Sequence, residues 1–213
     1  MTTATWWRHE VRRCGRQAFA LPVLAALLAY AAVAAGPGAG MLLGRSLMSC
    51  ALPAATALAC AAVVAREPML ELHLSLPTAY PRTVTRRLAW PGAVAAAAAL
   101  ALAASVTLTG RFSDPATVFL EMAGLAVLLS GGAMLATARF ASAAPATGLV
   151  VAAVLAKLLL LDRVVPAGLA QALPASATGI WLAALALREF GRHGRAGDRL
   201  GRGTGPHHGI GEA

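Results

Sequence analysis

The residues able to do chemistry are few in this chain of 213 residues, and their spacing assembles no catalytic set. Cys14, Cys50 and Cys60 are an odd number of thiols, and the last two lie ten residues apart in one apolar run, on different faces of a helix. They indicate neither a disulfide framework nor a metal site. His207 and His208 are adjacent in a glycine-rich segment, for which we expect no metal role. No Ser/His/Asp or Cys/His constellation is evident in the sequence, so we do not expect an enzyme.

Nucleotide binding by this chain is not expected either. The nearest approach to a phosphate-binding loop is GAGMLLGRS at residues 38–46. It lacks the lysine of that motif and has five residues between Gly38 and Gly44 instead of four. Any ATP hydrolysis that the protein depends on would therefore belong to a second polypeptide.

Two charged residues, Glu121 and Lys157, lie inside apolar runs. A charge in the lipid core costs about 2.5 to 3.5 kcal/mol at the centre of a spanning helix and less near its edge, which favours pairing. The two runs are expected to be antiparallel, with both residues in the outer half at similar depth. We therefore predict an ion pair between Glu121 and Lys157. The alternative is that each side chain reaches the outer headgroups separately.

The composition predicts a membrane protein. Hydrophobic residues make up 58% of the chain and charged residues 13%, which does not fit a soluble globule. Because a helix satisfies its own backbone polar groups in lipid, we predict an all-α polytopic fold. The net charge is +9, but neither a basic helix with interleaved aromatics nor a zinc-finger spacing is present in the sequence. We expect no nucleic-acid partner.

Six apolar runs approach the roughly 20 residues that a helix needs to cross a bilayer core about 30 Å thick. Within a transmembrane domain at 18–187, the predicted spans are 18–36, 46–65, 88–109, 117–138, about 146–165 and about 170–187. The fifth run contains Lys157 and ends on Asp162 and Arg163, and the sixth is short and contains Pro174. Residues 166–174 could instead enter the membrane and return without crossing, provided that protein covers their backbone.

The basic residues predict the orientation. With the N-terminus inside, three of the 18 basic residues, Arg45, Arg111 and Arg163, fall outside, and Lys157 lies within a span. The cytoplasmic set is Arg8, Arg12, Arg13, Arg16, Arg66, Arg82, Arg86, Arg87, Arg139, Arg188, Arg192, Arg195, Arg199 and Arg202. The positive-inside rule therefore places both termini in the cytoplasm, and we expect an integral protein of a bacterial plasma membrane.

A secretory signal peptide ending near AYAAVAAG is the rival interpretation of the first apolar run. That run is about as long as a span, and cleavage would leave five spans with a displaced charge bias. We therefore keep it as the first span.

The two ends of the chain are polar. Within residues 1–17, Trp7, Val11 and Cys14 share one helical face and arginines occupy the other, which predicts an amphipathic interfacial helix. A generic positive flank is the alternative. Residues 188–213 are rich in Gly and Arg with little to bury, which predicts a disordered cytoplasmic tail.

The segment REPMLELHLSLPTAYPRTVTRR, at 66–87, is a polar interruption between the second and third runs. Leucine alternates from Leu70 to Leu76, which indicates a strand, but no pairing strand is visible in the chain. A helix also fits, because polar residues recur at every fourth position from Glu67 and prolines frame the segment. We predict a cytoplasmic helix of about nine residues, which is marginal alone and needs a surface to bind. The predicted partner-binding residues are Glu67, Met69, Leu70, Glu71, Leu72, Leu74, Leu76 and Pro77.

This loop resembles the cytoplasmic loop between spans two and three in permease subunits of ATP-binding-cassette exporters of the type-2 class. In that family a Glu, a short leucine-rich helix and a Leu-Pro pair precede a basic entry into span three. The matching residues here are Glu67 or Glu71, Leu70 to Leu74, Leu76 with Pro77, and then Arg82, Arg86 and Arg87. The layout of an amphipathic N-terminal helix, six spans and two inside termini is similar as well.

The resemblance implies that the loop is a coupling helix held in a groove of a separate cytoplasmic ATP-binding subunit, which would carry ATP and Mg²⁺. It implies no cofactor in this chain, a second permease copy or paralogue, and contact with membrane lipid. The transported substrate is not indicated. A different class stays open: a non-transporting membrane scaffold or assembly subunit whose cytoplasmic helix recruits another protein.

Overall fold

The structure, a computed structural model, describes residues 16–34, 39–65, 80–108, 114–140, 142–165 and 168–203. Side chains are described within 18–34, 46–65, 85–108, 114–140, 142–165 and 168–191. Nearly all of the described backbone is helical and these ranges contain no strand, which confirms the all-α prediction. The helices are α1 (Arg16–Ala34), α2 (Ala39–Ala65), α3 (Tyr80–Leu108), α4 (Pro115–Phe140), α5 (Ala143–Val164) and α6 (Leu169–Gly203).

Five of the helices in the described ranges are long and apolar enough to cross a membrane. The crossing segments are Ser46–Ala65, Thr85–Leu108, Pro115–Phe140, Ala143–Val164 and Leu169–Gly191. The apolar part of α1, Ala18–Ala34, is shorter than the roughly 20 residues that a span needs. The described helices are therefore compatible with an integral membrane protein, with five candidate spans and one shorter apolar helix.

Two helices extend beyond the predicted spans. The α3 helix begins at Tyr80, so that residues 80–87 of the predicted loop are its first two turns. The α6 helix continues to Gly203, so that residues 188–203, predicted as disordered, are helical. Extending an existing helix adds hydrogen bonds without a new nucleation cost, and 188–203 contains no proline to stop it.

The segment for which a re-entrant path is the alternative belongs to α6 from residue 169 onward. The helix passes Pro174 without a break. The hydroxyl of Thr178 donates to the carbonyl oxygen of Pro174 at 2.7 Å, a local bond that gives this polar side chain a partner within the helix. Residues 1–15 of the predicted interfacial helix and 204–213 of the predicted tail lie outside the described part.

The core of the bundle is formed by α2 and α4. Within an 18-residue apolar stretch of each crossing segment, 61% of the residues are buried in α2 and 50% in α4, against 11% in α5 and 17% in α6. Leu52 of α2, Leu129 of α4 and Val150 of α5 are almost fully buried. Two buried hydroxyls, on Thr56 and Thr137, each donate to the carbonyl oxygen four residues earlier at 2.8 Å, so they are satisfied within their own helices.

Helices α4 and α6 pack at glycine positions. A Cβ atom built at Gly131 would overlap the carbonyl oxygen of Gly179. One built at Gly179 would lie 2.5 Å from the backbone of Val127 and Leu128. A Cβ at Gly124 would lie 2.7 Å from the carbonyl oxygen of Ala172. In lipid, helix association depends on close packing rather than on hydrophobic exclusion, so these positions hold α6 against the bundle.

The α4 helix begins at a side-chain cap. Asp114 accepts hydrogen bonds from the Thr117 hydroxyl, from the Ala116 N–H at 3.0 Å and from the Thr117 N–H at 3.3 Å. Pro115, with no N–H of its own, fills the first helical position. These bonds, that of the Thr117 hydroxyl first, hold the pKa of the Asp114 carboxyl below its ordinary value.

We expect the cap to weaken at acidic pH. Because the folded pKa is lowered, the carboxylate contributes stability above its unfolded pKa and loses it as the pH falls through the folded value. Asp114→Ala should reduce the hydrogen-exchange protection of the Ala116 and Thr117 amides at neutral pH. Asp114→Asn keeps an acceptor but cannot titrate, so its protection factors should lose the acid-dependent step. The same acid step in Asp114→Asn would contradict the assignment.

Candidate functional site

The predicted partner-binding helix lies between α2 and α3, outside the described residues. None of its predicted contact residues has a described position: Glu67, Met69, Leu70, Glu71, Leu72, Leu74, Leu76 and Pro77. The structure describes the two helices that flank the loop, the first ending at Ala65 and the second beginning at Tyr80.

One end of the bundle holds both ends of this loop. Val64 near the end of α2 packs in one cluster with Met134 of α4 and Phe190 of α6, and Leu88 of α3 lies against it. Leu88 also lies against a cluster that contains Ala18 at the start of α1. The start of α1, the end of α2, the start of α3 and the end of α4 are therefore together. We call this the loop end.

The opposite end of the bundle is formed by the other helix termini. Val33 of α1, Met48 of α2, Val106 of α3 and Val118 of α4 belong to one buried cluster. We call this the far end. Consecutive helices therefore alternate in direction, and the junction between α5 and α6 also lies at the far end because Gly124 packs on Ala172.

The described charged side chains at the two ends of the bundle differ in the balance of positive and negative charge. The loop end carries Arg86, Arg87, Arg139, Arg188 and Glu189. The far end carries Asp114, Glu121, Lys157, Asp162 and Arg163. Among the side chains that the structure describes, four cations and one acid lie at the loop end, against two cations and three acids at the far end.

Lys157 and Asp162 form an ion pair at the far end. The Lys157 Nζ lies 2.7 Å from Asp162 Oδ1, and the two side chains are 13% and 33% exposed. This is the partner that the structure gives to Lys157, whereas the sequence predicts Glu121. A contact between Lys157 and Glu121 stays a prediction.

A π-helical segment, Lys157–Leu161, brings these two charges together. In an α-helix, residues five apart point in clearly different directions, because each residue turns the chain by about 100°. A π-helix has i→i+5 hydrogen bonds, and here the Asp162 N–H donates to the carbonyl oxygen of Lys157, which brings the two residues closer to one face of the helix than α-helical spacing would. Sequence reasoning missed the pair because it assumed α-helical spacing.

The turn between α5 and α6 is fixed by polar contacts. Gln171 Nε2 donates to the carbonyl oxygen of Val165 at 2.7 Å. Gly168 has a φ of +130°, a backbone conformation that favours glycine. Glu121 Oε1 of α4 lies 4.0 Å from the position of a Cβ built at Gly168. Three helices therefore place polar groups around one junction: Glu121, Lys157 with Asp162, and Gln171.

This junction can hold charge at the edge of an apolar bundle. The described residues contain no group of three or more His, Cys, Asp or Glu side chains that could hold a metal ion. Cys50 and Cys60 are buried free thiols on α2. Paired charges and a π-helical turn within a spanning helix are the features of the described chain that are typical of functional positions in membrane proteins.

Comparison with known proteins identifies no relative. No protein-family model, no curated protein and no solved structure matches the chain. The class of protein is therefore defined by the fold: over the residues that the structure describes, it is a helical bundle with five helices long and apolar enough to cross a membrane.

Proposed function

We propose that this chain is the membrane-spanning permease subunit of an ATP-binding-cassette exporter. The observation that carries the proposal is the 66–87 segment, whose acidic residues, leucines, Leu-Pro pair and basic exit resemble the coupling loop of that family. Its placement supports the proposal, since α2 and α3 present the two ends of the segment at the basic end of the bundle.

In this proposal the chain crosses the membrane six times, with α1 as the first and shortest span. The loop end faces the cytoplasm, because basic residues near spans are retained on that side. Both termini then lie inside, as they do if the bundle has an even number of alternating helices. The proposed location is a bacterial plasma membrane.

Coupling would be mechanical. A cytoplasmic ATP-binding subunit carries ATP and Mg²⁺ and binds the predicted coupling helix around Glu71 and Leu72. Movement of that helix displaces the ends of α2 and α3. Because α2 is the most buried spanning helix and packs on α1, α3, α4 and α5, its displacement passes directly to most of the bundle. Nucleotide shifts the balance of two arrangements by its differential affinity for them. A second permease copy or paralogue completes the pathway.

Two substitutions in the predicted coupling helix test the proposal. We expect the wild-type chain, purified in mild detergent, to co-elute with an ATP-binding protein and to support ATP turnover. Glu71→Lys and Leu72→Asp should each weaken that complex by about tenfold or more, as central interface residues do. Asp198→Lys makes the same charge change in the predicted cytoplasmic tail and should leave the complex intact.

Three results would contradict the permease proposal. One is undiminished co-elution and turnover in both coupling-helix variants. Another is labelling of a cysteine at position 71 by an impermeant reagent added to intact cells. Co-elution with a protein that lacks a Walker motif would instead support a scaffold that recruits a cytoplasmic partner.

A further inference from the structure

An apolar groove lies between α4, α5 and α6 towards the loop end. Its volume is about 300 Å³. Its lining includes Leu128, Leu129 and Gly132 of α4, Leu149 of α5 and Leu182 of α6. Among the described residues of the lining, Arg139 is the one that carries a charge, and the other side chains are apolar. The described lining is thus apolar, with Arg139 at one end of the groove.

Gly132 keeps the groove open. A Cβ at this position would lie 3.1 Å from Leu149 Cδ2 and 3.9 Å from Leu182 Cδ1, so a larger side chain would fill the space between the two leucines. The groove is also accessible from the side, because Leu149 is 41% exposed and Phe140, another lining residue, is 65% exposed. In a membrane those exposed faces meet lipid.

The length of the groove matches one leaflet. From Leu128 to Arg139 the α4 axis advances about 16 Å at 1.5 Å per residue, close to half of a bilayer core about 30 Å thick. Arg139 lies in the last turn of α4, where the chain reaches the basic loop end. Among the described residues no carboxylate lies within ion-pair distance of Arg139. The guanidinium is therefore available to an anion at headgroup depth.

We propose that this groove binds one acyl chain of an anionic phospholipid, with the lipid phosphate at Arg139. The apolar walls accept the chain, and the guanidinium forms paired hydrogen bonds to phosphate oxygens. A basic position between spanning helices on the cytoplasmic side is a known way to bind acidic headgroups. The inference depends on the membrane location of the bundle and is independent of any ATP-binding partner.

Photocrosslinking of the full chain in phosphatidylcholine vesicles tests this site. The probe is a minor fraction of phosphatidylglycerol with a photoactivatable group in the middle of one acyl chain, and mass spectrometry locates the crosslinks. We expect crosslinks on groove residues of α4 and α5. The phosphatidylglycerol probe should label them about fivefold more than the matched phosphatidylcholine probe, as one basic residue would produce.

Variants separate the contributions of charge and space. Arg139→Gln, at an exposed position, should abolish the preference for phosphatidylglycerol. Gly132→Val should reduce labelling by both probes. Arg188→Gln, at the same end but outside the groove, and Gly148→Val, with nothing within 4 Å of its Cβ position, are the matched controls and should behave as wild type.

Two results would overturn the lipid site. Equal labelling by the two probes in the wild-type chain would remove the role of Arg139. Loss of preference in Arg188→Gln as large as in Arg139→Gln would show general attraction to a basic surface instead of a site. Because the assay contains no ATP-binding protein, failure of the permease proposal leaves its outcome unchanged.

Discussion

Gly131→Val is expected to destabilise the bundle by about 3 kcal/mol, towards the upper end of the range for overpacked positions. Even the first added carbon would overlap the carbonyl oxygen of Gly179, and a backbone atom cannot move aside as a side chain can. The α4 and α6 helices would have to separate along the contact that includes Gly124 and Ala172. Equilibrium unfolding in mixed micelles, followed by circular dichroism, measures the loss.

Neighbouring glycines provide matched controls for this substitution. Gly132→Ala meets only side-chain carbons, at 3.1 Å and 3.9 Å, so we expect a small effect. Gly148→Ala meets nothing within 4 Å and should be neutral or slightly stabilising, because alanine favours a helix over glycine by about 1 kcal/mol in water. If Gly131→Val unfolds at the same denaturant concentration as Gly148→Ala, the close α4–α6 contact is wrong.

Removing one member of the Lys157–Asp162 pair is expected to cost about 1 to 3 kcal/mol, since an unpaired charge is left in a spanning helix. The cost should be unequal. Asp162→Asn leaves the ammonium of Lys157, which is 13% exposed, whereas Lys157→Met leaves the carboxylate of Asp162, which is 33% exposed. We therefore expect Asp162→Asn to be the more damaging variant in the same unfolding assay.

A double-mutant cycle identifies the partner of Lys157. Combining Lys157→Met with Asp162→Asn should recover part of the loss, with a coupling energy of about 1 kcal/mol or more. The parallel cycle with Glu121→Gln tests the pair that the sequence predicts. Arg163→Gln, beside Asp162 and exposed, serves as the charge-removal control. If the losses of unfolding free energy in Lys157→Met and Asp162→Asn are strictly additive in the double variant, the Lys157–Asp162 ion pair is wrong.

Much of the fold could be predicted from the sequence. The runs at 46–65 and 117–138 are spanning-length helices because a chain in lipid must satisfy its backbone internally, and an apolar run of this length has one way to do so. The gathering of arginines at one end of the bundle could also be predicted, because helices that alternate in direction bring every second loop to the same end. The cap at Asp114 was missed, although an Asp before a Pro is a sequence signal for a helix start.

The predicted site could be anticipated only in part. Glu121 and Lys157 can be singled out in the sequence as charged residues inside apolar runs, because a charge in the lipid core is costly. The partner of Lys157 depends on a π-helical segment that no α-helical spacing predicts. Glu121 Oε1 lies 4.0 Å from a Cβ position built at Gly168, so α4 approaches a turn that is more than 40 residues away along the chain. The predicted coupling helix at 66–77 stays a prediction.

Helical structure, enough apolar surface for a membrane and basic residues at alternate loops can all be predicted from the amino-acid sequence, because each property depends on residues close together along the chain. Which of the abundant small residues touch depends on helix packing: Gly131 lies against Gly179, whereas a Cβ built at Gly148 has nothing within 4 Å. Helix packing also places Arg139 at the border of an apolar groove. These contacts depend on the rotation and axial position of one helix against another, and alanine-rich helices with similar faces all round do not encode that choice in any short stretch of sequence.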